Sequence, residues 1–329
     1  MGKRRIGLDL PLFQIPVQVG RCLVPVPLHI LLSMLGGIEA GGTKFICGLG
    51  TGPGDLYYEP VPTTTPDETI ARVIDFFEAH GSADLRGVGI GSFGPVDLNP
   101  GSPHYGHITS TPKTGWQNCD LRGRIQRGLN VPVGFDTDVN AAVLGEARWG
   151  AAKGLSDAVY LTVGTGIGGG VIAQGRLVHG LVHPEMGHLR IPHDLSRDPF
   201  PGTCPYHGDC LEGLACGPAM KARWGVPAKD LPESHEAWPL EAHYIALGLV
   251  NVAVTLSPQR ILLGGGVMQK AHLFPMIRHE FLMLLNGYVQ HPAITNGLDS
   301  FIVAPPLAPW SGVLGCLALA ERAIKGDLA

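Results

Sequence analysis

Charged side chains are scarce in this chain of 329 residues. Asp, Glu, Lys and Arg make up 16% of it, the formal net charge is -4, and the one dense basic run is Lys3-Arg4-Arg5. With 45% hydrophobic residues, so lightly charged a chain buries a core and does not stay disordered. The lack of a basic face argues against nucleic acid as a partner. The apolar stretch from Cys22 to Leu35 is broken by Pro25 and Pro27 and is too short to span a bilayer, so no membrane partner is expected. No A-x-A-like site follows that stretch, which argues against a signal peptide. A disulfide framework is also missing. The seven cysteines are odd in number, and Cys22, Cys47, Cys119, Cys216 and Cys316 are scattered. They read as small core residues in a reducing compartment, so a cytoplasmic location is expected.

What the sequence does have is glycine, 47 residues of it, clustered in short turns where backbone can approach a ligand closely. Organised pattern begins near Met34. Residues 1–33 carry four prolines and no two-helix pattern, so they read as an N-terminal extension outside the fold, ahead of a natural start near Met34, and not as a DNA-binding helix-turn-helix. From there the spacing predicts strand, glycine turn and return strand over 35–50, a strand over 56–61, and a helix over 66–79 with Ile70, Val73, Ile74 and Phe77 on one face. A buried strand at 87–91, a long loop over 92–116, a helix at 120–129, a strand at 131–135 and a helix at 139–149 follow. The grammar then repeats. A strand at 158–163, a glycine turn at 164–170 and a return strand at 171–174 precede helices near 218–224 and 239–256. A strand at 260–263 ends in three glycines, before a helix at 271–285, a strand at 301–304 and a last helix at 313–324. Two α/β halves that open alike predict a duplicated architecture with a cleft between lobes and a switch near Gly150.

Gly164-x-Gly166-x-x-Gly169, with Glu185 about 20 residues on, matches the dinucleotide fingerprint. That fingerprint needs a helix after the glycines. The residues that follow are β-branched and then turn, so the segment predicts a hairpin whose backbone N–H groups converge on phosphate oxygens. Gly41-Gly42-Thr43-Lys44 does the same in the first half, with Thr43 as hydroxyl donor and Lys44 as cation. No Walker sequence occurs, because Lys44 lacks the G-x-x-x-x-G spacing. Gly264-Gly265-Gly266 is a third place where backbone can approach a nucleotide.

Cys204-Pro-Tyr-His207-Gly-Asp-Cys210 sets three soft or borderline metal ligands three residues apart. His183-Pro-Glu-Met-Gly-His188 lies upstream and can supply a fourth, so a structural zinc tetrahedron is expected, with Glu185 and Glu212 flanking it. The spacing is not that of a redox pair. Phe135-Asp136-Thr137-Asp138-Val139-Asn140 ends a strand and starts a helix. One of its two aspartates is expected to cap that helix.

Gly37-Ile-Glu-Ala-Gly-Gly-Thr-Lys44, Asp136-Thr-Asp-Val-Asn-Ala-Ala142, Leu161-Thr-Val-Gly-Thr-Gly-Ile-Gly-Gly-Gly170 and the Cys/His loop together resemble the ROK family of sugar kinases and repressors, from about Leu35 to the end. Gly91-Ser-Phe-Gly-Pro-Val-Asp-Leu98 and Ile108-Thr-Ser-Thr-Pro-Lys113 are most similar to the bacterial fructokinases. The resemblance implies a two-lobed actin-like, hexokinase-like ATPase fold with duplicated α/β lobes and an inserted zinc-binding loop. The first lobe would be residues 34–150 and the second 151–310, with the zinc loop near 183–212. A closing helix in 311–329 would return to the first lobe. The implied activity is ATP-dependent phosphorylation of a hexose, D-fructose to fructose 6-phosphate, with magnesium accompanying ATP and a homodimer as the assembly. A mannose, glucose or amino-sugar kinase, or a sugar-responsive regulator, are the family's alternatives. Asp138 becomes the general base. Gly41, Gly42, Thr43, Lys44, Gly164, Thr165, Gly166 and Gly264 to Gly266 hold the nucleotide phosphates. Glu185, His188 and Glu212, with Asp138, orient the sugar. His188, Cys204, His207 and Cys210 bind zinc, with Asp209 as substitute ligand, and His188 bridges pocket and metal. Thr137 stands where many aldohexose kinases of the family have Asn, which is compatible with a ketose.

Overall fold

The computed structural model describes residues 14–19, 22–27, 34–81 and 84–327. The basic run at residues 3–5, much of the expected extension, and the last two residues of the expected closing segment lie outside the described residues. Within the extension, β1 (Gln14–Val19) and β2 (Cys22–Pro27) pair antiparallel as a sheet of their own, which the sequence reading does not predict.

The first lobe runs β3 (Met34–Ala40), β4 (Lys44–Gly50), β5 (Tyr57–Pro62), α1 (Pro66–His80), β6 (Leu85–Ser92), β7 (His107–Ile108), β8 (Cys119–Asp120), α2 (Leu121–Leu129), β9 (Val133–Thr137) and α3 (Asp138–Trp149). Its main sheet has the order β5-β4-β3-β6-β9, antiparallel on the hairpin side and parallel from β3 through β6 to β9. Local chemistry sets the helix starts. Thr65 accepts from the Glu68 N–H, Pro66 occupies the first turn, and Asp67 and Glu68 face the positive end of the helix dipole. α1 buries Thr69, Ile70, Val73, Phe76 and Phe77, so its core face is turned slightly from the predicted one and Ile74 is half-buried. The predicted long loop carries the two-residue strands β7 and β8, which pair with each other.

The second lobe runs β10 (Ala158–Val163), β11 (Ile167–Ala173), β12 (Arg176–Leu177), α4 (Leu211–Ala215), α5 (Gly217–Trp224), α6 (Ala237–Leu256), β13 (Arg260–Gly264), α7 (Leu273–Leu285), α8 (Pro292–Thr295), α9 (Leu298–Phe301), β14 (Ile302–Val303) and α10 (Ser311–Ile324). Its sheet has the order β12-β11-β10-β13-β14. The two sheets therefore share one topology, three antiparallel strands with the first in the middle and two further parallel strands beyond it, as the repeated sequence grammar predicts.

The predicted second glycine turn is too long. The glycine turn is confined to residues 164–166, and Gly168, Gly169 and Gly170 lie inside β11. They are needed for packing. The start of α3 lies flat on β11, where a Cβ at Gly170 would overlap the Val139 carbonyl and one at Gly168 would stand 3.0 Å from Val139 Cγ1. β-Branched residues were the visible strand signal, and after the isolated Ile167 they resume only at Val171.

α10 leaves the second lobe and packs against β3, β6 and α3 of the first. It crosses α3 at backbone contact, since any side chain at Gly315 would overlap the Ala141 carbonyl. α3 also touches β10 and β11, so α3 and α10 form the layer between the sheets. A buried cluster that includes Ala141, Val143, Tyr160, Ile172, Leu262 and Cys316 joins the halves there. Glu146 on α3 is fully buried in this layer. Its carboxylate accepts from Ala151 N (2.9 Å), Leu307 N (3.2 Å) and Ser311 Oγ (2.7 Å). Ala151 belongs to the connection into the second lobe and Leu307 to the connection back.

Candidate active site

In parallel α/β sheets, ligands collect at the carboxyl ends of the strands. In the first sheet, register aligns Ala40, Ser92 and Thr137 across β3, β6 and β9 at that edge. Just beyond lie the Gly41–Thr43 turn and Asp138. Gly41 N donates to Lys44 O (3.1 Å), and Thr63 ties the turn down from β5, with its Oγ1 donating to Gly41 O (2.8 Å) and its N–H to Thr43 O (3.0 Å). Gly42, Thr43 and Lys44 are exposed at its tip, and a Cβ at Gly42 would meet nothing.

The same edge of the second sheet carries two glycine turns side by side. Gly164 N donates to Gly166 O (2.9 Å), closing the β10–β11 turn with Thr165 exposed. Thr162 pairs with Gly264, so Gly264 to Gly266 leave β13 next to it. Gly265 takes a left-handed φ of +92°, where a side chain would overlap the Val163 backbone. Gly217, at the start of α5, donates its N–H to Gly164 O (2.8 Å) and joins this shelf. The dinucleotide alternative fails here, because the glycines lead into a strand.

Asp138 opens α3 but does not cap it. Thr137 does, accepting from Asn140 N at 3.1 Å, so the expectation that one of the two aspartates caps is corrected. A hydroxyl one residue back reaches the third helical N–H, leaving Asp138 half-buried with Oδ1 accepting from Val139 N at 2.9 Å. Asp136 is buried and fully engaged, accepting from Thr137 N, Asn140 Nδ2 and His179 Nε2 at 2.7–2.8 Å. Burial pushes the Asp138 carboxyl up to about 6, the Val139 N–H pulls it down, and the Glu185 charge pushes it further up. Glu39, at the end of β3, was missed in the sequence reading. Burial and then the Asp138 charge push its carboxyl up to about 7, while the Val313 N–H and Lys44 pull it down. A Cβ at Gly312 would come within 2.9 Å of either Glu39 oxygen. Two acidic groups thus feel each other next to the first glycine turn.

The Cys/His loop closes as predicted. The ligand atoms of His188, Cys204, His207 and Cys210 all lie within 4.8 Å of one another. Cys204 Sγ is 3.7 Å from His188 Nδ1 and 3.6 Å from His207 Nδ1, and Cys210 Sγ is 3.6 Å from His188 Nδ1. A tetrahedral zinc with ordinary Zn–S and Zn–N bonds requires S···N separations of about 3.6 Å. The donor set and its geometry fit zinc. Asp209 is not part of it. Its carboxylate pairs with Arg190 (2.8 Å) and His193 (3.3 Å). His188 faces the cluster through Nδ1, so its Nε2 remains for another partner. Glu212 Oε2 accepts from Ile167 N (2.8 Å), which puts this carboxylate at the foot of the second glycine turn, with one oxygen left over.

The sequence model of the ROK family matches residues 35–323. The chain belongs to the ROK family. It is 47% identical over 297 residues to a putative fructokinase of Bacillus subtilis (strain 168), covering 90% of this chain and 98% of that protein. It is 46% identical over 293 residues to a fructokinase of Pediococcus pentosaceus, covering 89% and 99%. Among solved structures, a ROK family glucokinase from Streptomyces griseus, in complex with glucose and AMPPNP, superposes with a TM-score of 0.71 at 25% identity, covering 88% of this chain and 100% of that one. The two-lobed hexokinase-like fold with its Cys/His insert is that of this ROK chain. Sequence pattern does not single out Gly217, whose N–H joins the glycine shelf, or His183, which lies 3.4 Å from Glu185.

Proposed function

We propose that this ROK chain transfers the γ-phosphoryl group of MgATP to the terminal primary hydroxyl of D-fructose, giving fructose 6-phosphate and ADP. Asp138 accepts the hydroxyl proton as that oxygen attacks the γ-phosphorus and the bond to the bridging oxygen of ADP breaks. A positioned base of this kind contributes about 10²–10⁴-fold. Alignment and charge neutralisation supply most of the remainder. Gly41, Gly42, Thr43 and Lys44 from one lobe, and Gly164 to Gly166 with Gly264 to Gly266 from the other, grip the nucleotide. Glu185, His188 and the free oxygen of Glu212 orient the sugar. Zinc held by His188, Cys204, His207 and Cys210 braces that wall and takes no part in the phosphoryl transfer. Cys47, Cys119, Cys204, Cys210, Cys216 and Cys316 form no disulfide, which suits a reducing cytoplasm.

The observation that carries the reading is that Asp138, freed from capping by Thr137, stands at the strand ends beside one glycine turn while its helix lies on the strand that leaves the other. An ADP-release assay across fructose, mannose, glucose and N-acetylated hexoses tests it. Fructose should give the highest kcat/KM. A higher value for an aldohexose would overturn the substrate assignment.

A further inference from the structure

His183 is nearly inaccessible, with 4% of its side chain exposed, although Leu181 and Val182 just before it project into solvent. One ring nitrogen is hydrogen-bonded and the other lies near a carboxylate. The backbone N–H of Val96 points at Nε2 at 3.3 Å. A backbone N–H can only donate, so Nε2 is the unprotonated nitrogen and Nδ1 carries the hydrogen. Nδ1 lies 3.4 Å from Glu185 Oε1. The ring also rests on Gly94, where an added Cβ would stand 3.4 Å from its Cε1. Among the described residues, the His183 ring is the one polar side-chain group within ion-pair distance of the Glu185 carboxylate, which is otherwise half open to solvent.

Gly94 and Val96 belong to the first-lobe loop that follows β6, whereas Glu185 belongs to the wall of the second lobe. We propose that His183 is a positioning residue for sugar recognition: the first-lobe Val96 N–H anchors its ring, and the ring edge, 3.4 Å away, holds the Glu185 carboxylate in place. This rests on the reading of Glu185 as a sugar ligand. Without His183 the carboxylate keeps its charge but loses its fixed rotamer, and the sugar must order it on binding. The loss falls on sugar affinity and not on the chemical step.

Steady-state kinetics of the full chain with fructose and MgATP, together with thermal unfolding, test this in His183→Gln, His183→Asn and Glu185→Ala. Gln places an amide near the Nε2 position and can keep the Val96 bond while losing the arm to Glu185. Asn places an amide donor near Nδ1 and keeps the arm to Glu185. H183Q should raise the KM for fructose about tenfold, with kcat, the KM for ATP and the unfolding midpoint close to wild type, the pattern of lost ground-state binding. H183N should bring the fructose KM back toward wild type. The proposal is overturned if E185A raises the fructose KM but H183Q does not. It is also overturned if H183Q raises both KM values together with a fall in the unfolding midpoint, the mark of a structural role. If E185A leaves the fructose KM unchanged, Glu185 is not a sugar ligand and the pocket assignment beneath the proposal fails first.

Discussion

At residue scale, the decisive distinction is between Asp136 and Asp138. The sequence places both at a strand-to-helix junction and cannot rank them without the family resemblance. Structure separates them by occupancy. Asp136 spends its oxygens on three donors, while Asp138 has one backbone bond and neighbouring negative charge. Asp138→Asn should therefore lower kcat about 10²–10⁴-fold while fructose still binds, as read by kinetics and calorimetry. Near-normal turnover would remove its role as base. Its raised carboxyl also sets a pH dependence. A general base at Asp138 would act only when ionised, so kcat/KM for fructose should be full above pH 7 and fall as pH drops through about 6, the value to which burial raises Asp138. Glu39 titrates close by, at about 7, so the limb belongs to the interacting group and not to one residue. Glu39 was not legible as a site residue, because its burial depends on Gly312 and Val313, far along the chain.

At the scale of elements, sequence patterning served the long ones well and the short ones poorly. The 3.6-residue period located α1 to within a residue or two. The five-residue α4 and two-residue strands such as β7 and β8 are too short to show a period, and neighbours hold them in place. The Cys/His loop was legible because ligand chemistry, not periodicity, announces it. Native mass spectrometry should find one zinc ion per chain. Cys210→Ser should lose it, lower the unfolding midpoint by several degrees and raise the fructose KM, since a structural zinc contributes folding energy directly. A metal-free wild-type chain with unchanged fructose KM would separate the cluster from the pocket.

At the scale of the whole molecule, the duplication was readable because each half opens with strand, glycine turn and strand, and both sheets then follow the same order. The ties between the halves were not readable. Glu146 finds its partners at Ala151, Leu307 and Ser311, and two of those are backbone groups with no side-chain signature. Glu146→Ala would strand one buried donor, Ser311 Oγ, and two part-buried backbone N–H groups, each costing about 1–3 kcal/mol where water cannot replace the bond. Urea unfolding should show a loss of about 3 kcal/mol or more on that basis. The kinetic constants for both substrates should move together, as expected of a hinge position. Unchanged kinetics in a destabilised variant would confine Glu146 to stability.

Both chain crossings pass through the grip of that one carboxylate, so they cannot bend as two independent joints. One carboxylate thus stitches both crossings, and a single substitution there would loosen the two at once.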